Sequence, residues 1–128
     1  MNPIIARHFD EVEARLIQSP AIISFQTLRR EIASADGKLR IKAELRGGGI
    51  VELFEYVAES EGRIHLLKYS FHWQTAQREL RKRWDNAPHY PNLPNAPHHV
   101  HNESGSVQEV MKVPDMFFVI AEIERALT

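Results

Sequence analysis

The side chains able to do chemistry are concentrated in one window. From Arg81 to His101 the chain reads RKRWDNAPHYPNLPNAPHHVH, which holds four of the seven histidines and four of the seven prolines. Imidazole is the side chain whose ordinary pKa lets it give and take protons near neutral pH. Proline has no N–H and a fixed φ, so four of them rule out a regular helix or central strand there. The window is therefore expected to be a stiffened loop, its histidines held in one shape for recognition or acid–base work.

The reaction that best suits this residue set is metal-free cleavage of RNA. It needs a base for the 2′-hydroxyl proton, an acid for the leaving 5′-oxygen, and cations against the charge growing on phosphorus. His98 and His101 are the expected acid–base pair, Arg83 and Lys68 the phosphate-facing cations, and Asp85 or His89 the group that orients an imidazole. Substrate binding is expected from His72, Arg81, Asn86, Tyr90 and His99. Asn86 and Pro88 are also expected to fix the loop. Trp73, Trp84 and Tyr90 offer flat faces for a base to stack on, although burial is the default use of an aromatic on a strand, as for Trp84 and Tyr69.

Two other chemistries fit the same residues. His98-His99-x-His101, with His89 and Asp85 upstream, has the donor types of a divalent-metal hydrolase. Its spacing is not that of a helical HExxH site, and on extended backbone His99 and His101 share one side while His98 takes the other. The expectation is thus no cofactor and no native metal. The remaining reading is non-catalytic: a polar surface that binds nucleic acid or protein, the imidazoles shaping the loop by bonding its carbonyls.

The rest of the chain must position this window. Pro3 suits a first helical turn, and Ile5, Phe9, Val12 and Leu16 recur at helical spacing up to Ser19-Pro20. The period then changes to two: Ile23 and Phe25 alternate with Ser24 and Gln26 in a strand running toward Ala33. Asp36-Gly37 is a hairpin signal. Next, Leu39, Ile41, Ala43 and Leu45 alternate with Lys38, Arg40, Lys42, Glu44 and Arg46. Gly47-Gly48-Gly49 lacks the Lys-Ser/Thr and the helix of a phosphate loop, so it reads as a turn. Ile50 to Ser60 is apolar at both parities, which predicts a strand covered on both faces, with Glu52, Glu55 and Glu59 near its ends or on an open part. Arg63 to Gln74 alternates an aromatic side (His65, Leu67, Tyr69, Phe71, Trp73) with a side that becomes polar (Lys68, Ser70, His72, Gln74). Leu80 to Asp85 makes a further strand, Val107 to Val113 a short closing one, and Met116, Val119, Ile120, Ile123 and Leu127 stripe a last helix. His8 and His65 fall inside these periodic segments and read as packing or surface residues.

This order predicts one α+β domain spanning 1–128. Five or six strands form an antiparallel meander, an N-terminal and a C-terminal helix pack on one face, and the other face carries function. The chain has 128 residues, no cysteine and a net charge of −1. Disulfides and thiolate metal sites are excluded, and RNA contact must come from a local patch such as Arg81-Lys82-Arg83. No apolar run nears the ~20 residues of a membrane span, and no signal pattern opens the chain. A cytoplasmic protein without membrane contact is expected.

LLKYSFHWQ (Leu66–Gln74), RWDNAPHYP (Arg83–Pro91) and PHHVH (Pro97–His101) together resemble the ordered signature of TumE-like proteins, the toxin half of prokaryotic toxin–antitoxin pairs. The resemblance spans roughly half the chain. Tyr90 stands where a second histidine is common there, and Val100 where a basic residue is common. The resemblance implies a growth-inhibiting protein neutralised by a cognate helix-turn-helix antitoxin encoded beside it. RNA is the expected target, and homodimerisation is left open.

Overall fold

The computed structural model describes residues 1–128. Helix α1 (Pro3–Gln18) is followed by strands β1 (Ile22–Ile32), β2 (Asp36–Leu45), β3 (Ile50–Ser60), β4 (Arg63–Gln74), β5 (Leu80–Asp85), β6 (His99–Asn102) and β7 (Val107–Gln108), and the chain closes with helix α2 (Met116–Leu127). The seven strands form one sheet in chain order, every neighbouring pair antiparallel. The architecture is the α+β meander anticipated, with more strands than five or six. The additional strand is β6. Its histidines were assigned to a loop, but the prolines stop at Pro97, and β-sheet hydrogen bonding resumes two residues later.

Both helices lie on one face. Asn2 caps α1 by accepting hydrogen bonds from the Ile4 and Ile5 amides, with Pro3 at the first helical position, and Asp115 caps α2 through the Phe118 amide. The buried stripes Ile5, Phe9, Val12, Leu16 and Met116, Val119, Ile120, Ile123 join Leu39, Ile41, Leu53, Tyr69, Phe71, Trp73 and Trp84 in a single apolar core. The helices are tied to each other by Arg15, which donates to Glu124 at 2.7 Å. Every aliphatic stem moved from water into this layer is worth roughly 1.5–3 kcal/mol. The helix-free face carries most of the sheet's polar groups.

Alternation predicts β2 correctly, but bulges defeat it in three other strands. Register shifts leave Ile23 and Leu28 as extra residues on β1, Leu67 on β4 and Arg81 on β5. A bulge inserts one residue and reverses side-chain parity beyond it. Hence Ile22, not Ile23, packs on the core with Phe25, and Ile23 is 63% exposed. On β4, Ile64 and Leu66 join Tyr69, Phe71 and Trp73, while His65 and Leu67 turn out to solvent.

Two further expectations are corrected. The β1–β2 turn lies at Ala33–Ala35, where the Ala33 amide donates to the Asp36 carbonyl, and Gly37 is already paired with Ile32. A Cβ on Gly37 would sit 2.9 Å from both the Glu31 carbonyl oxygen and Ile5 Cγ2, so glycine is there to let α1 approach. β3 is covered on the helix side only. Phe54 on its open side is buried instead beneath the Arg40 guanidinium, 4.5 Å from the ring centre. Glu55, expected at an end or in the open, is 2% exposed on the core side and bonded to His8 at 2.7 Å. Gly47 and Gly48 take positive φ in the β2–β3 turn, as a turn there requires.

Candidate functional site

Pairing across β4, β5 and β6 assembles the polar groups. His72 stands opposite Arg83, and Arg83 opposite His101. One row along, Ser70 stands opposite Asp85, and Asp85 opposite His99. Side chains at cross-strand partner positions share a face, and strands lie about 4.8 Å apart. The helix-free face thus carries His72, Arg83 and His101 in one line, the outer imidazoles two strand spacings (roughly 10 Å) apart.

Asp85 is the hub. It is 5% exposed. One oxygen, Oδ1, accepts from the Ala87 amide at 3.0 Å and lies 3.0 Å from His99 Nε2. The other, Oδ2, is 3.3 Å from Arg83 Nε and 3.7 Å from His101 Nε2. His99, 1% exposed, has its second nitrogen 2.9 Å from the Pro97 carbonyl. Both ring nitrogens therefore lie close to oxygen atoms, Nδ1 to a backbone carbonyl and Nε2 to the carboxylate. Tyr90 closes the top, its ring edge-on to His99 (4.8 Å between centres) and to His101 (5.9 Å).

Several expected members lie elsewhere. His98 is turned to the opposite side of β6, where its Nδ1 is 2.9 Å from the hydroxyl of buried Tyr69 and the rings stack 5.8 Å apart. It thus lies on the other side of the strand from His101, because successive strand residues point apart. Arg81 is the bulged residue of β5, and its guanidinium lies 4.4 Å over Trp73, on the helix-covered side and away from Arg83. His89 is exposed in the Asn86–His98 connection. Lys68 is on the open face, two residues before Ser70 on β4. Asn86 extends the sheet: its side chain accepts from the Tyr69 amide at 3.1 Å and donates to the Leu67 carbonyl at 3.0 Å. Trp73 and Trp84 are buried, leaving Tyr90 as the stacking surface beside the cluster.

Both outer imidazoles are shifted downward, and they differ in the carboxylate that opposes the shift, Glu52 for His72 and Asp85 for His101. Burial lowers the His72 pKa below its ordinary 6.5, and the Arg83 charge lowers it further. For His101 burial also dominates and lowers the value, but Asp85 works against it and favours the charged ring. His98 is lowered by burial and by His99. Tyr69 is pushed well above the usual phenol value, chiefly by burial and then by Asp85, so it stays a neutral hydroxyl. The arrangement can place a neutral imidazole, a guanidinium and a carboxylate-supported imidazole in line on an open surface.

His72, expected as a binding residue, lies well outside the histidine window. The usable signal is the short Thr75–Glu79 connection, which makes β4 and β5 hairpin neighbours and so brings His72 beside Arg83. Ser70, beside Asp85, follows from the same register.

A family model described as Toxin TumE matches residues 12–128. No curated protein and no solved structure matches the chain. The match takes in all seven strands, the second helix and the Asp85 cluster, and the chain belongs to the Toxin TumE family.

Proposed function

We propose that this member of the Toxin TumE family is a metal-independent endoribonuclease, held in check by a cognate helix-turn-helix antitoxin and acting on cytoplasmic RNA. The observation that carries the reading is the line His72–Arg83–His101 on the helix-free face, backed by buried Asp85. Two imidazoles roughly two strand spacings apart, with a cation between them, suit in-line displacement at phosphorus.

Roles follow from the charges each ring faces. His72, beside Arg83, favours its neutral form and takes the 2′-hydroxyl proton. The 2′-oxygen then bonds to phosphorus as the P–O5′ bond breaks, leaving a 2′,3′-cyclic phosphate. His101, beside Asp85, gives its proton to the departing 5′-oxygen. Arg83 faces the phosphate oxygens, and Lys68 supplies a second cation along β4. His99 and Asp85 hold one another and orient His101, and Tyr90 offers a stacking edge next to them. His98 passes from the acid–base pair to a support beneath the strand. His89 and Arg81 take no part in the proton steps.

The test uses full-length chain, total RNA and excess EDTA. The expected products carry 2′,3′-cyclic phosphate and 5′-hydroxyl ends, and His72→Ala and His101→Ala each slow their formation by about 10²–10⁴-fold. Intact RNA after prolonged incubation would remove the enzymatic reading. Retarded but uncut RNA would move the role to binding, for which Phe54 under Arg40 and Tyr56 under Lys38 give the same face cationic and aromatic surface.

A further inference from the structure

We infer that Asp85, His99 and His101 also form a binding site for a divalent transition-metal ion of the zinc class, and that its occupancy silences the proton-transfer groups. Two imidazole nitrogens and a carboxylate oxygen all lie within 4.8 Å of one another. That donor set suits zinc or cobalt rather than magnesium or calcium, which prefer oxygen alone.

The second observation concerns His99. Its Nδ1 is committed to the Pro97 carbonyl at 2.9 Å, which fixes the ring and aims Nε2 at Asp85. An outer bond from the far nitrogen to a backbone carbonyl is the usual way a metal-ligating histidine is held. The space between a buried imidazole and a buried carboxylate favours positive charge, and a metal ion supplies it. His101 completes the set from the solvent side, its side chain 24% exposed, so an ion can enter and keep an open position for water or a phosphate oxygen.

Arg83 is the built-in competitor. Its Nε is 3.3 Å from Asp85 Oδ2, and the side chain is 48% exposed, free to swing away. The same cation that serves the phosphate therefore opposes the ion. Binding of the metal depends only on the donor geometry. Its inhibitory effect rests on the proton-transfer reading above, because a metal on His101 Nε2 and Asp85 removes the acid and its support.

The test is a cobalt(II) titration of untagged, full-length protein, followed by visible absorption and back-titrated with zinc. One equivalent should raise d–d bands that zinc removes. His101→Ala, at a half-buried position, should abolish them in a protein that still folds, as should Asp85→Asn. Arg83→Gln should tighten binding roughly tenfold by removing a charge beside the ion, while it weakens RNA cleavage. Absent bands in folded wild-type protein, or equal affinity in His101→Ala, would overturn the site. Saturating zinc that leaves cleavage untouched would overturn the inhibitory half. Because absorption reports the ion itself, uncut RNA without metal counts against the nuclease reading and leaves the metal site standing.

Discussion

The sheet holds a histidine–carboxylate pair on each face, and the two are built differently. On the helix side, His8 Nε2 meets Glu55 at 2.7 Å, with Glu55 buried and the imidazole edge-on to Phe117. On the open side, His99 Nε2 meets Asp85 at 3.0 Å. The first pair ends in packing: α1, β3 and the start of α2 close around it. The second continues outward through Asp85 Oδ2 to Arg83 and His101, both in reach of solvent. The first pair holds helix to sheet, its imidazole 18% exposed and in contact with no further charged partner across the sheet, whereas the second adjoins the exposed groups on which the proposed chemistry rests.

The comparison breaks most sharply on His101→Ala. Its RNA-cleavage rate should fall by about 10²–10⁴-fold, with unfolding free energy within about 1 kcal/mol of wild type. A large loss of stability without a rate effect would make the two pairs alike. Next in size, His8→Ala should destabilise the fold by roughly 3 kcal/mol, because it leaves Glu55 buried and unpaired. Urea unfolding measures the loss, and the folded fraction should cut RNA at the wild-type rate. A stable His8→Ala protein with slowed cleavage would reverse the assignment.

The pH dependences should differ too. Burial lowers the His8 pKa, but the Glu55 hydrogen bond and charge outweigh it, and the net shift is upward from 6.5. Its contribution to stability is therefore complete below 6.5 and is lost as pH rises through the higher folded value; Glu55→Gln should flatten that slope. His72 and His101 are both shifted downward. A base that must be neutral and an acid that must be protonated then place the maximum of kcat/KM on the acid side of 6.5. A maximum well above 7 would sink the paired-imidazole mechanism. Smallest of all, Tyr69→Phe removes the hydroxyl that meets His98 and should cost about 1 kcal/mol, read as a shift in the urea midpoint. Any slowing of cleavage should stay slight, since His98 sits behind the strand.

Much of the scaffold is legible from periodicity. Helical spacing marks α1 and α2 because each needs an apolar stripe against the sheet, and strict alternation marks β2 because one of its faces meets water. Bulges are where that reading stops. Leu67 and Arg81 look like ordinary members of their strands, and nothing in their side chains announces the extra residue. The consequence at the site is direct, since Arg81 leaves the polar face that Arg83 keeps. His98 and His101 look like partners because they are close in the chain, yet backbone pleating separates them, and strand register instead lines up His101 with Arg83 and His72.

The amino-acid order alone determined the α+β class, the helix-covered face, the family and the histidine-rich window, because burial patterns and short signatures are local properties. The full line from His72 through Arg83 to His101 was decided only by tertiary structure. Strand register is a non-local quantity, and a single inserted residue turns every side chain beyond it to the other face.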